Sequence, residues 1–344
     1  LRSSYSTGFR APTLSQHFNE GRGGFDTIKD PKRCVTGDKY FDNVPNRERL
    51  TEIKGDIRDQ KLLEKHFQGT DAVIHCAAKV GDWGPVADYR QANVESLRVL
   101  LDACKGLALS RFIHMSSLGV YPARHHYGTD ETTPLPKKHR DGYTQSKVES
   151  DRLALQYHGD FGVPVVVLRP GFIYGPGDRT VMPRIIDNLR SGFIRYPGGG
   201  QQAMNTIFVR NLVDAVFLAL EHENAVGQHY NLTDGELVSK RRFIEKIADT
   251  LDLARPTRTP PLWFARMVTW FCEKSYKLIG AKEAPPYNFA RLKFMGLNLD
   301  FSIEKARAEL DYRPRVNFDD AMAETLAWYR TQVPAASQPV EATA

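Results

Sequence analysis

Apolar residues follow two different periods along the chain, and the switch from one to the other outlines its elements. Uninterrupted runs, DAVIHCAA at 71–78, RFIHM at 111–115 and PVVVLRP at 164–170, have the length and β-branched content of strands buried on both faces. Between them apolar positions recur every three or four residues. QKLLEKHFQG at 60–69 reads as an amphipathic helix closed by glycine, a second helix spans about 88–107, and a third runs from 143 to about 159. LTEIKGDIRD at 50–59 reads as a short strand ending on Gly55 and Asp56. Strands alternating with helices predict an α/β fold, a parallel sheet covered on both faces.

After residue 175 the regularity loosens. A helix at 181–192 precedes a strand feeding a buried helix at 206–222, and HYNLTDGELVS at 229–239 is another strand and turn. Helices follow at 241–253 and 319–330. The expected organisation is a domain over 39–175 and a smaller domain over 176–332, some segments of which return to the main sheet. Residues 333–344, small and polar, read as a disordered tail. Residues 1–38, rich in Gly, Ser, Thr and Arg with little hydrophobic period, stand apart as a foreign or poorly ordered leader. The chain opens on Leu1 rather than methionine, as a fragment or processed product would.

Composition narrows the class. With 344 residues, 41% hydrophobic and 26% charged, the chain suits a soluble globular protein with a large core. Its net charge of +6 is spread out, with no basic stripe of the kind nucleic acid requires. Cys34, Cys76, Cys104 and Cys272 lie far apart, which argues against zinc or a disulfide framework and fits a reducing cytoplasm. The most apolar stretch, 262–271, is interrupted by Arg266 and is too short to span a membrane. His75 and His114 fall in apolar strands and His125 and His126 in a loop; none has ligand spacing to carboxylates, so core or loop roles are expected.

The chemistry concentrates at 111–147. The apolar strand leads into Ser116 and Ser117, and a polar loop then carries the chain to Tyr143 and Lys147. On a helix that i, i+4 spacing stacks a phenol and an ammonium on one face. A nearby cation favours the phenolate, so Tyr143 is expected to trade a proton near neutral pH, while Ser117 holds a carbonyl oxygen.

Three motifs in order, SSLGVY at 116–121, YTQSK at 143–147 and LRPGFIYGPGDR at 168–179, resemble the extended short-chain dehydrogenases of the NAD-dependent epimerase/dehydratase superfamily. The resemblance implies a Rossmann-like doubly wound parallel sheet, a truncated dinucleotide-binding role for 39–175 and a mainly substrate-binding one for 176–332, NAD or NADP as cofactor, and Ser117, Tyr143 and Lys147 as catalytic residues. Ser117 is preferred to Ser116 for its spacing to Tyr121, and Ser116 is left to brace the loop. The resemblance further implies that Asp56 and the Ile57 backbone meet the adenine, that Ala77 and Ala78 let the nucleotide pass, that Lys79 reaches a ribose and that Pro170 lies near the nicotinamide amide. An Asp at a strand end is otherwise a helix cap, and Lys79 otherwise a surface lysine. Asn93 matches a position that braces the active-site strand. The family's glycine turn, which cradles the pyrophosphate on backbone N–H groups, has no counterpart in this sequence, so the first strand-helix unit is expected to be missing. GFRAPTLSQ at 8–16 resembles part of an outer-membrane TonB-dependent receptor barrel.

GDWGPVADY at 81–89 resembles the substrate-facing loop of the 3-beta-hydroxysteroid dehydrogenase-like branch, with Trp83 as an apolar wall. The aromatic stretch 260–280 either lines a hydrophobic pocket, rests on a membrane surface or is a core helix of the smaller domain. The expected activity is therefore oxidation of a hydroxyl or reduction of a ketone on a hydrophobic substrate. The alternatives are a nucleotide-sugar epimerase or dehydratase, with Arg184, Arg195 or Arg210 on the diphosphate, and an inactive truncated chimaera. The reading leaves room for a homodimer and for a cytoplasmic or membrane-associated location.

Overall fold

The structure is a computed structural model that describes residues 24–25, 53–179, 181–281 and 283–332. Among the described residues, four parallel strands form the central sheet in the order His229–Leu232, Val165–Pro170, Arg111–Met115, Ala72–His75. Registered pairs such as Val73 with Phe112, His114 with Val167 and Leu168 with Tyr230 align the strand ends. Because successive side chains point to opposite faces, Phe112, Val165 and Val167 enter one core with Leu63, Leu97 and Ala154, while Ile113, Val166 and Leu168 enter the other with Ile207, Phe243 and Leu326. Both faces are dry, which is why these strands read as uninterrupted apolar runs.

His229–Leu232 pairs parallel with Val167–Pro170 at the edge of this sheet. Three of the predicted helices appear as Gln60–Phe67, Gly142–Phe161 and Phe318–Gln332. Two elements differ from expectation. The strand at 50–59 is reduced to Ile53–Lys54, which pairs antiparallel with Gly24–Phe25 instead of joining the parallel sheet. The helix at 88–107 is three pieces: Val86–Arg90, a π-helical turn at Gln91–Glu95, and Ser96–Cys104. The rest of the leader, its receptor resemblance, the absent glycine unit and the tail lie outside the described residues.

Short parallel pairs, His126–Thr129 with Leu299–Phe301 among them, join segments far apart in the chain. The Trp83 loop adds ties to the segment 281–291. Trp83 Nε1 donates to the Ala281 carbonyl at 3.1 Å, and Asp82 receives Arg291 Nε at 2.7 Å and Asn288 Nδ2 at 3.1 Å.

Candidate active site

The site forms where the Arg111–Met115 strand ends against the start of the Gly142–Phe161 helix. Asp141 caps that helix by accepting the Thr144 N–H at 2.7 Å. Gly142 is required by close approach: a Cβ there would lie 2.6 Å from Tyr89 Cδ2 and 3.1 Å from Val86 Cα. Tyr143 and Lys147 follow one turn apart. Lys147 Nζ donates to the Met115 carbonyl at 2.7 Å, docking the helix on the strand end. Ser117 caps a short 3-10 turn, its Oγ accepting the Gly119 N–H at 3.0 Å, and is also hydrogen-bonded to Tyr143.

Ser117, Tyr143 and Lys147 line one cavity of 260 Å³, together with Ala78 and Pro170. A neighbouring cavity of 920 Å³ is walled by Trp83, Leu262, Phe289 and Leu292, and the two share Asp141, Ala290 and Lys293. Asp56, Ile57, Ala77 and Lys79 line neither. Asp56 is exposed and paired with Arg58 at 2.6 Å, which holds its carboxyl below the usual range, and the helix cap beside it is Asp59. Lys79 pairs with Asp88 at 3.2 Å.

Burial dominates the electrostatics. It pushes the Tyr143 phenol up to about 12, against the Ser117 hydrogen bond, and takes Lys147 down to about 8. The phenolate expected from the Tyr-Lys spacing is therefore not favoured here. The ammonium is engaged with a carbonyl, and the low-dielectric surroundings disfavour the charged form of both groups.

Two polar braces hold the site. Asn93, in the π turn, accepts the Lys79 N–H at 2.6 Å and donates to the Lys79 carbonyl at 2.9 Å and to Ser146 Oγ at 2.8 Å. It links the end of the Ala72–His75 strand to the Tyr143 helix. The second brace is centred on Asp151, one turn beyond Lys147. It takes Arg169 in two hydrogen bonds, at 2.9 and 3.0 Å, and Ser116 Oγ at 2.9 Å; Arg169 also donates to Tyr121, which donates to Asn231. Sequence reasoning placed Ser116 in a bracing role but missed Asp151 and Arg169. The available signal was an acid four residues after Lys147 and a base inside an otherwise apolar strand.

Lys293 was missed as well. It reaches from the Phe289–Gly296 helix to the Gly119 carbonyl at 3.0 Å, so that helix touches the turn that holds Ser117, and burial lowers its pKa. His75 and His114 stack at 5.4 Å in the core with their Nδ1 atoms 3.2 Å apart, and burial keeps His75 neutral, down to about 3. His126 bonds the Pro122 carbonyl and Thr129.

Comparison with known proteins places this geometry. A ketoreductase of Stigmatella aurantiaca, acting on 4-hydroxy-2-methyl-3-oxo-4-farnesyl-3,4-dihydroquinoline-1-oxide, is 30% identical over 272 residues, covering 78% of this chain and 80% of its own length. The 3-beta-hydroxysteroid dehydrogenase of Mycolicibacterium neoaurum is 29% identical over 329 residues and covers 89% of each chain. Among solved structures, the UDP-glucuronic acid 4-epimerase of Bacillus cereus with NAD shares the fold, with a TM-score of 0.64, 22% identity and 82% of each chain covered. The family model described as NAD dependent epimerase/dehydratase matches residues 29–233, beginning inside the segment that composition sets apart as a leader. With the family match spanning more than half its length, the chain belongs to the NAD dependent epimerase/dehydratase family of enzymes.

Proposed function

We propose that the protein interconverts a secondary alcohol and a ketone on a hydrophobic substrate of the hydroxysteroid, sterol or long-chain keto-alcohol kind. The observation that carries this reading is the junction of two cavities. The Ser117, Tyr143 and Lys147 cavity opens beside a larger one walled by Trp83, Leu262, Phe289 and Leu292. The names of the ketoreductase and hydroxysteroid dehydrogenase relatives support it.

Bound NAD or NADP supplies hydride exchange at its nicotinamide ring. The residues present fit such a group. Ala78 and Pro170 offer small or rigid walls, and the one hydrogen bond recorded for the Lys147 ammonium among the described residues goes to Met115, which leaves N–H groups for ribose hydroxyls. Tyr143 passes the proton to or from the reacting oxygen, Ser117 orients that oxygen, and Lys147 holds the ribose.

A nucleotide sugar is the second reading. Against it, Arg184, Arg195 and Arg210 line neither cavity; Arg195 bonds the Ile194 carbonyl and Arg210 pairs with Glu324. In its favour, Arg266 and Lys277 do line the larger space. Thermal-shift titration separates the cases. NADH or NADPH, followed by a hydroxysteroid, is expected to raise the melting midpoint. Tight UDP-sugar binding with no response to steroids overturns the substrate assignment, and no response to either cofactor removes both enzyme readings.

A further inference from the structure

The Leu262–Leu278 helix is amphipathic in the inverted sense. Its inward side carries Thr269, its one fully buried residue, and places Leu262, Arg266, Glu273 and Tyr276 on the larger cavity. Its outward side carries Trp263, Phe264, Met267, Trp270, Phe271 and Leu278, all exposed, Trp263 to 68%, Phe271 to 58% and Leu278 to 89%. At about 100° per residue these six positions fall within a stripe about 120° wide. Ile279, 73% exposed, extends it past the helix end. A contiguous face of this kind marks a contact surface rather than chance exposure. The third sequence alternative for 260–280, a core helix, is thereby excluded.

Charge decides what covers it. Lys274 lies within the stripe, its Nζ 5.7 Å from the Trp270 ring centre, and Arg266 and Lys277 flank the stripe. The helix's one acid, Glu273, is turned inward, where it accepts the Phe289 N–H at 2.8 Å. A second copy of the same face would bury Lys274 among rings with no carboxylate on either stripe to pair it. Anionic headgroups accept the lysine while the rings enter the acyl boundary, where tryptophan is favoured.

We propose that this face docks the protein on an anionic lipid surface. The same helix walls the larger cavity, so docking places that cavity about one helix diameter, about 10 Å, from the lipid. Delivery of a hydrophobic substrate by this route rests on the functional reading above; the docking itself does not.

The test uses the full chain without substrate or cofactor, so that it stands or falls apart from the enzyme assignment. Binding is measured by sedimentation with phosphatidylcholine vesicles, with and without phosphatidylserine. Binding to the phosphatidylserine vesicles, accompanied by a blue shift in tryptophan fluorescence, is expected. Lys274→Glu should weaken it roughly fivefold or more, as should added salt. The pair Trp263→Ser and Phe271→Ser, both at exposed positions and so compatible with folding, should abolish it while leaving the melting midpoint near parental. Absence of binding to either vesicle overturns the proposal. So does a wild-type dimer that the serine pair converts to monomer, since the stripe would then belong to a second copy.

Discussion

Arg169 and Asp151 meet in a two-pronged ion pair, Nε to Oδ2 at 2.9 Å and Nη2 to Oδ1 at 3.0 Å, with both side chains almost fully excluded from water. The pair joins the end of the Val165–Pro170 strand to the Tyr143 helix. Removing one partner strands the other charge in the interior, so Arg169→Met should cost about 3 to 5 kcal/mol in urea unfolding. The double variant Arg169→Met, Asp151→Leu should recover most of that loss. A single variant as stable as wild type would contradict this account.

Under the proposed function Tyr143 carries the proton transfer. In a chain given an intact glycine turn, Tyr143→Phe should lower hydroxysteroid turnover by about a hundredfold to ten-thousandfold while NADH affinity is largely kept. Lys147→Ala should damage both, because it removes a charge and a ribose contact. Near-parental turnover in the phenylalanine variant would move the site elsewhere.

Lys240 provides a pH signature independent of activity. It is fully buried, donating to the Ala203 and Leu297 carbonyls, and burial lowers it to about 7 from an ordinary value near 10.5. Between those two values the unfolded chain holds a proton that the folded chain does not, so stability rises with pH across that window and is insensitive to this group below it. Each unit of depression corresponds to about 1.4 kcal/mol. The melting midpoint should climb from pH 7 toward pH 10, and Lys240→Met should flatten the climb. A slope unchanged in that variant would show that other groups set it.

The Trp83 loop depends on its tie to the Phe289–Gly296 helix. Arg291→Ala removes the 2.7 Å contact to Asp82. Under the proposed function KM should rise several-fold with kcat little changed, because the loop walls the substrate space without touching the reacting atoms. A fall in kcat at constant KM would instead place the loop in the chemical step.

The parts that the sequence made legible are those with a local cause. Val165, Val166 and Val167 are buried on alternate faces of one strand, so their run is visible without a partner. Ser117, Tyr143 and Lys147, singled out by their motifs and spacing, line one cavity. What stayed hidden depends on distant packing. Lys293 looks like any helical lysine until its helix is laid against Gly119. The raised pKa of Tyr143 likewise reflects surrounding apolar matter that no i, i+4 rule contains.

The π turn at Gln91–Glu95 separates two jobs carried by what would otherwise be one continuous helix. On its near side Tyr89 donates to the Trp83 carbonyl at 2.7 Å and so anchors the substrate loop; on its far side Leu97, Leu100 and Leu101 are committed to the core. One surplus residue in the turn offsets the angular phase of the first segment from the second. Deleting any one residue there would turn Tyr89 by about 100° around the axis while the leucines stay in place. The surplus residue thus works as a phase adjuster: it sets the aim of the Trp83 loop independently of the hydrophobic interior.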